Sequence, residues 1–107
     1  MTRNELADKL GLVGEMLEIE GMSDLFDKFN TKGLTMIQMN AIIIQIGSLT
    51  MKKNPDAADK LIAMNRKIPV EDVEKIDDGE YGKALRKAIS EEVLGFFGSS
   101  PRTENKK

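Results

Sequence analysis

"LTMIQMNAIIIQIGSLTM", residues 34–51, is the most apolar stretch of the chain and carries no charge. Its centre, "IIIQI" at 42–46, is β-branched and taken alone would suit a strand. The periodic segment runs well beyond ten residues, which favours a helix. Ile37, Ala41, Ile44 and Ser48 share one face of that helix, and Met36, Met39, Ile43 and Ile46 cover much of another. Thr35, Gln38, Asn40, Gln45, Ser48 and Thr50 interrupt the apolar run. A spanning helix needs about 20 predominantly apolar residues, so burial in protein is the expectation here rather than a membrane. A helix apolar over most of its circumference is either central in a bundle or half covered by another chain.

Start and stop signals flank it on both sides. Upstream, Thr2 and Glu5 have capping-box spacing, and a short helix with Leu6 and Leu10 on one side should follow. Gly11 and Gly14 are expected to break or bend it, and "EMLEIEG" reads equally as helix or as an extended piece. Ser23 is a candidate cap for a second helix in which Leu25, Phe26 and Phe29 form one face. Asn30 to Gly33 reads as a stop, and Thr35 as the next start. Downstream, Lys52 and Lys53 suit the C-terminal end of the helix dipole. Asn54 and Pro55 then read as N-cap and first helical residue, with Asp56 beside them. Ala58, Leu61 and Ile62 give that next helix an inner face. Pro69 restarts the chain, and Val70, Val73 and Ile76 mark a short helix. Asp77 or Asp78 caps the last long helix, whose stripe is Tyr81, Ala84, Leu85, Ala88 and Ile89. Ser90 is a candidate cap for one more turn.

The expected architecture is therefore all-α: five or six short helices in one domain, around a central apolar helix at about 34–51. Residues 1–97 form the expected domain. Residues 98–107, "GSSPRTENKK", contain no large apolar side chain and are expected to be a disordered tail.

Composition removes whole classes of chemistry. The 107 residues include no Cys, His or Trp, and 16 basic against 18 acidic residues give a net charge of -2. There is thus no disulfide framework, no thiolate or imidazole metal site, and no histidine general base. The charge balance lacks the basic footprint of a nucleic-acid binder. The N-terminal stretch has no apolar signal-peptide core. Paired Asp77 and Asp78 sit at a helix start, where capping is their ordinary role. An EF-hand register on "DKFNTKG" would place Lys28 at the first ligand position, which calcium cannot use. "GSL" at 47–49 lacks the Asp of an acyl-carrier attachment motif, and "GEYGKAL" lacks the strand that precedes a phosphate loop. A helix-turn-helix at 54–76 would carry Glu71, Asp72 and Glu74 towards phosphates. No catalytic, cofactor-binding or metal-binding residue is assigned, and an enzyme is not expected.

The remaining signals concern surfaces. Seven Met residues are many for this length, and Met recurs at adaptable binding surfaces as well as in cores. The acids cluster early: residues 1–30 carry seven acids and three bases. The candidates for partner binding or self-association are Met36, Met39, Ile43, Ile46, Tyr81, Phe96 and Phe97.

Residues 77–100, "DDGEYGKALRKAISEEVLGFFGSS", resemble the end of tail assembly chaperones from long-tailed, siphovirus-type bacteriophages. In that family an acidic, Tyr-containing helix precedes a short acidic turn, a paired aromatic and a Ser-rich ending. Tyr81, Phe96, Phe97, Ser99 and Ser100 match this ending, while the glycine-rich stretch 11–21 departs from the family. The resemblance implies a non-enzymatic protein of the host bacterial cytoplasm, absent from the mature virion. It would bind the tape measure protein and keep it soluble during tail assembly. It also implies a homo-oligomer, and a frameshifted longer form that recruits the tail tube protein. Asn105, Lys106 and Lys107 can be written with the A-rich codons on which ribosomes slip. No cofactor, nucleic acid or membrane enters this role. The alternative is a self-associating structural or regulatory helical interaction module.

Overall fold

In the computed structural model, residues 2–95 are described, and among them there are helices and no strands. The elements are α1 (Arg3–Leu17), α2 (Met22–Phe29), α3 (Met36–Lys53), α4 (Pro55–Arg66), α5 (Val70–Val73) and α6 (Asp78–Ala88). A π-helical segment, Ile89–Leu94, continues α6. The paired Phe96 and Phe97, the Ser-rich ending and the expected tail lie outside the described residues.

Local chemistry sets most helix starts. Thr2 closes its capping box with Glu5: the Glu5 N–H donates to Thr2 Oγ1 at 3.1 Å, and the Thr2 N–H to Glu5 Oε1 at 2.8 Å. Those bonds hold the exposed Glu5 carboxyl below its ordinary range, the Thr2 backbone bond contributing most. Thr35 and Gln38 repeat the box at 3.1 and 2.8 Å. Asn54 does two jobs. Its N–H donates to the Thr50 carbonyl at 2.8 Å, ending α3, and its Oδ1 accepts from the Ala57 N–H at 3.2 Å, starting α4 with Pro55 as first residue. One residue thus joins two helices in a tight hairpin. At α6, Asp77 rather than Asp78 is the cap, accepting from the Glu80 N–H at 2.9 Å.

Three local expectations are corrected. α1 passes through Gly11 and Gly14 without a break, because Leu12, Val13 and Met16 between and beyond them are buried and packing holds the turns. α2 is not capped by Ser23. It begins two residues earlier than that cap would place it, after Gly21, whose φ of 90° turns the chain in a conformation that favours glycine. Ser90 starts no new helix.

The chain instead widens into the π segment, with the Gly95 N–H reaching back to the Ser90 carbonyl at 3.0 Å. The cause is the apolar register. An α-helix continuing the stripe of Leu85 and Ala88 would turn Glu92 inward next. The wider turn delays the rotation, so Val93 and Leu94 reach the core with Ile89. Gly95 completes the exit: a Cβ there would lie 2.7 Å from the Glu91 carbonyl oxygen.

The hub of the bundle is α4. It packs against α1, α3, α5, α6 and the π segment. Its buried residues are Ala57, Ala58, Leu61, Ile62 and Ala63, and the alanines let neighbouring helices come close. Helix α3, uncharged up to Lys52 and Lys53 in its last turn, stands on the flank of this hub, touching α2, α4, α6 and the π segment. It buries Ile42, Ile46, Gly47 and Thr50. Burying each large apolar side chain of such a core contributes about 1.5–3 kcal/mol, an upper estimate given residual structure in the unfolded chain. Thr50 is enclosed without penalty, since its hydroxyl donates to the Ile46 carbonyl at 2.8 Å.

Candidate partner-binding surface

α3 turns its less bulky face outward. Ile46, fully buried, sits on the opposite side of the helix from Ser48, Ala41 and Ile44, all exposed. Along this outer side Ile37 is 81% exposed, Ile44 52% and Met51 47%. Met36, at the first turn, is 71% exposed. No helix among the described residues is long and apolar enough to cross a membrane.

Beside this face runs a groove of about 660 Å³ between α3 and α6. Ile44, Gly47, Ser48, Met51 and Lys52 line it from α3, and Gly82, Leu85 and Arg86 from α6. Its floor exists because the two helices touch through a glycine. A Cβ on Gly47 would lie 3.3 Å from Ile89 Cδ1 and 3.4 Å from Leu85 Cδ2. Gly82 is different: a Cβ there would meet nothing within 4 Å.

The candidate residues named from sequence are divided by this arrangement. Met36 is exposed, Met39 and Ile43 are half-buried, and Ile46 is inside the core, which removes it from any docking face. Tyr81 is half-buried on α6. Its hydroxyl donates to Asp59 Oδ1 on α4 at 2.7 Å. Burial, then the hydrogen bond and charge of Asp59, push the phenol well above its ordinary range. It therefore stays neutral and fastens α6 to the hub. Phe96 and Phe97 lie outside the described residues.

None of the described candidates named from sequence lines the groove; all of its lining residues, from Ile44 to Lys52 on α3 and from Gly82 to Arg86 on α6, are ones that sequence reasoning does not select. Part of the signal is present in the sequence. The outer face contains Ala41 and Ser48, whereas the inner arc carries Met39, Ile42, Ile43, Ile46 and Leu49, so bulk alone points the inner arc to the core. The contribution of α6 has no such signal, since it depends on packing between distant segments.

A second surface feature lies on α1, where Leu6, Leu10 and Leu17 are 38%, 47% and 39% exposed. Several polar groups elsewhere are tied to one another. Asn65 Nδ2 donates to Glu91 Oε1 at 3.0 Å and to Glu92 Oε2 at 2.8 Å. Lys9 Nζ lies 2.9 Å from Glu92 Oε1, and both side chains are largely enclosed. Burial raises the Glu92 carboxyl, but the Asn65 amide and Lys9 ammonium outweigh it and hold the group below its usual range. This cluster joins α1, α4 and the π segment. Arg66 pairs with Glu80 between α4 and α6. Among the described residues no group of three or more carboxylates gathers where it could hold a metal ion.

A scan of protein-family models and searches of curated proteins and of solved structures found no match to this chain.

Proposed function

We propose that this protein is a non-enzymatic tail assembly chaperone of a long-tailed phage or prophage. It acts in the host cytoplasm, binding the tape measure protein and keeping it soluble while the tail is built. The observation that carries the reading is the apolar outer face of α3 with its adjoining groove, a surface of the kind that receives an amphipathic helix. The similarity of residues 77–100 to the ending of that family supplies the identity of the client. A small domain with exposed Ile37, Ile44 and Met51 has uncovered apolar surface of the kind that marks interaction sites. The tube protein would join through a frameshifted longer form.

Gene order and co-purification test this. A very long gene for a largely helical protein should lie just downstream, with a tube gene upstream. Co-expressed, the long protein should remain soluble and copurify with this chain. An unrelated neighbourhood, or a long protein equally soluble without this chain, would overturn the reading. The exposed leucines of α1 favour a second reading, a self-associating interaction module. A strict monomer at high concentration in light scattering would remove it, and would count equally against the homo-oligomer that the chaperone reading carries.

A further inference from the structure

We infer that the α3–α6 groove receives one amphipathic helix of a partner protein, with carboxylates flanking its apolar stripe. The inference rests on the chaperone reading only in taking a helix as the client, and it names that helix's chemistry.

Three observations converge. The first is length. Ile37, Ile44 and Met51 recur every seven residues on the exposed side of α3, Ile44 and Met51 in the groove and Ile37 on the same face beyond it, the spacing at which one helix meets another along a seam. At about 1.5 Å per residue they span roughly 21 Å, four turns of an opposing helix. The second is Gly82. Glycine inside a helix is unfavourable relative to alanine, and the fold gives no reason for it, since its Cβ position is empty space. Gly47 is explained by Ile89 and Leu85. Gly82 lines the groove, and there the missing side chain leaves room for a neighbouring backbone.

The third is charge. Lys52 and Arg86 line the groove and no carboxylate does. Lys53, Lys83 and Lys87 are exposed close by in sequence. The ion pairs among the described residues use Lys9, Arg66 and Lys75, and none of these five. Asp78 stands one turn before Gly82 but is not among the lining residues. A second copy of α3 would not complement this edge. Laid antiparallel, it would set Lys52 and Lys53 against the uncharged first turn of α3, whose dipole end is positive. Glutamates or aspartates beside an apolar stripe complement it.

The test uses two synthetic helical peptides with the same leucine stripe, one flanked by Glu and one by Lys, titrated into the full chain by fluorescence anisotropy. The Glu peptide should bind about tenfold more tightly, as expected for two partly exposed ion pairs. The preference should shrink at high salt. Lys52→Glu with Arg86→Glu should reverse it. Gly82→Leu should block both peptides without lowering the melting temperature. Equal binding of the two peptides, or binding of neither, would overturn the inference. So would sedimentation showing a self-associated chain that the groove variants dissociate and the Glu peptide does not. If the peptides fail while the tape measure protein still copurifies, the groove assignment alone falls. If they succeed where no such neighbour exists, only the phage reading falls.

Discussion

Gly47→Ala and Gly82→Ala are the same chemical change on two walls of one groove, and they should have opposite fates. Within a helix, alanine is favoured over glycine by about 0.8–1.0 kcal/mol. At Gly82 the new methyl meets nothing within 4 Å, so the free chain should gain nearly all of that. At Gly47 the methyl would stand 3.3 Å from Ile89 Cδ1 and 3.4 Å from Leu85 Cδ2. Ile89 is fully buried and Leu85 nearly so. Ile89 must move by a few tenths of an ångström inside a packed core where Leu85 already stands at the limit of ordinary contact, and overpacking by a methylene costs typically about 1–3 kcal/mol. The net at Gly47 is then between neutral and about 2 kcal/mol destabilising. The two variants should differ by about 1–3 kcal/mol, worked from the same propensity gain and the one overpacking cost. In thermal unfolding, about 1 kcal/mol corresponds to a shift of roughly 4–8 °C for a domain of this size. Gly82→Ala should therefore melt several degrees above the parent, and Gly47→Ala at or below it. Urea unfolding followed by circular dichroism should give the same order, with unchanged slopes. Equal stabilisation of both variants would refute the close approach of α3 to the end of α6, and with it the floor of the groove.

Further outcomes test the face of α3, the end of α4 and the polar cluster. Ile46→Ala should cost about 2–5 kcal/mol as a core truncation, whereas Ile37→Ala, at an exposed position, should stay within about 0.5 kcal/mol; chemical denaturation of the pair reads the inward face directly. Lys67 ends α4 with φ 59° and ψ 47°, while the Ile68 N–H bonds the Ala63 carbonyl at 3.1 Å. Lys67→Gly removes the left-handed strain of a side chain there and should stabilise the chain by about 1 kcal/mol, measurable as a raised melting temperature. The Glu92 carboxyl is depressed in the folded chain, so its contribution is present above the unfolded value near 4.5 and is lost as pH falls through the lower folded value. Lys9→Met and Asn65→Ala should each reduce stability at pH 7 by about 1–2 kcal/mol, between the values for exposed and enclosed pairs. Each should also flatten the loss of stability below pH 4.5, which a urea series at stepped pH would show.

The helix starts are legible in the amino-acid sequence alone, and the reason is range. Thr2 with Glu5, Asn54 with Ala57 and Asp77 with Glu80 each satisfy a backbone N–H within three residues. Such bonds need no tertiary partner, so residue type and spacing suffice. Gly11 and Gly14 mislead for the complementary reason. Their intrinsic preference is against helix, but Leu12, Val13 and Met16 on the same helix are buried in the core and packing overrides it. The candidate surface is half legible. Both faces of α3 can be written from its periodicity, and Lys52 can be placed at its end. Selecting Ile46 as a contact fails because two apolar faces on one helix compete for a single hub.

What the sequence determines by itself is thus the all-helical composition, the positions of most helix ends, and the absence of thiol and imidazole chemistry. These follow from local hydrogen bonding, apolar period and residue inventory. The tertiary structure decided the rest. It chose α4 as hub, because the small side chains of Ala57, Ala58 and Ala63 let other helices approach it. It turned Ile37, Ile44 and Met51 outward, because Ile42 and Ile46 on the other side of α3 face that core. It widened the end of α6 into a π turn, because that turn brings Leu94 into the core beside Val93 where a continued α-helix would bring Glu92. Each of those outcomes depends on which distant surfaces meet, and no short-range pattern carries that information.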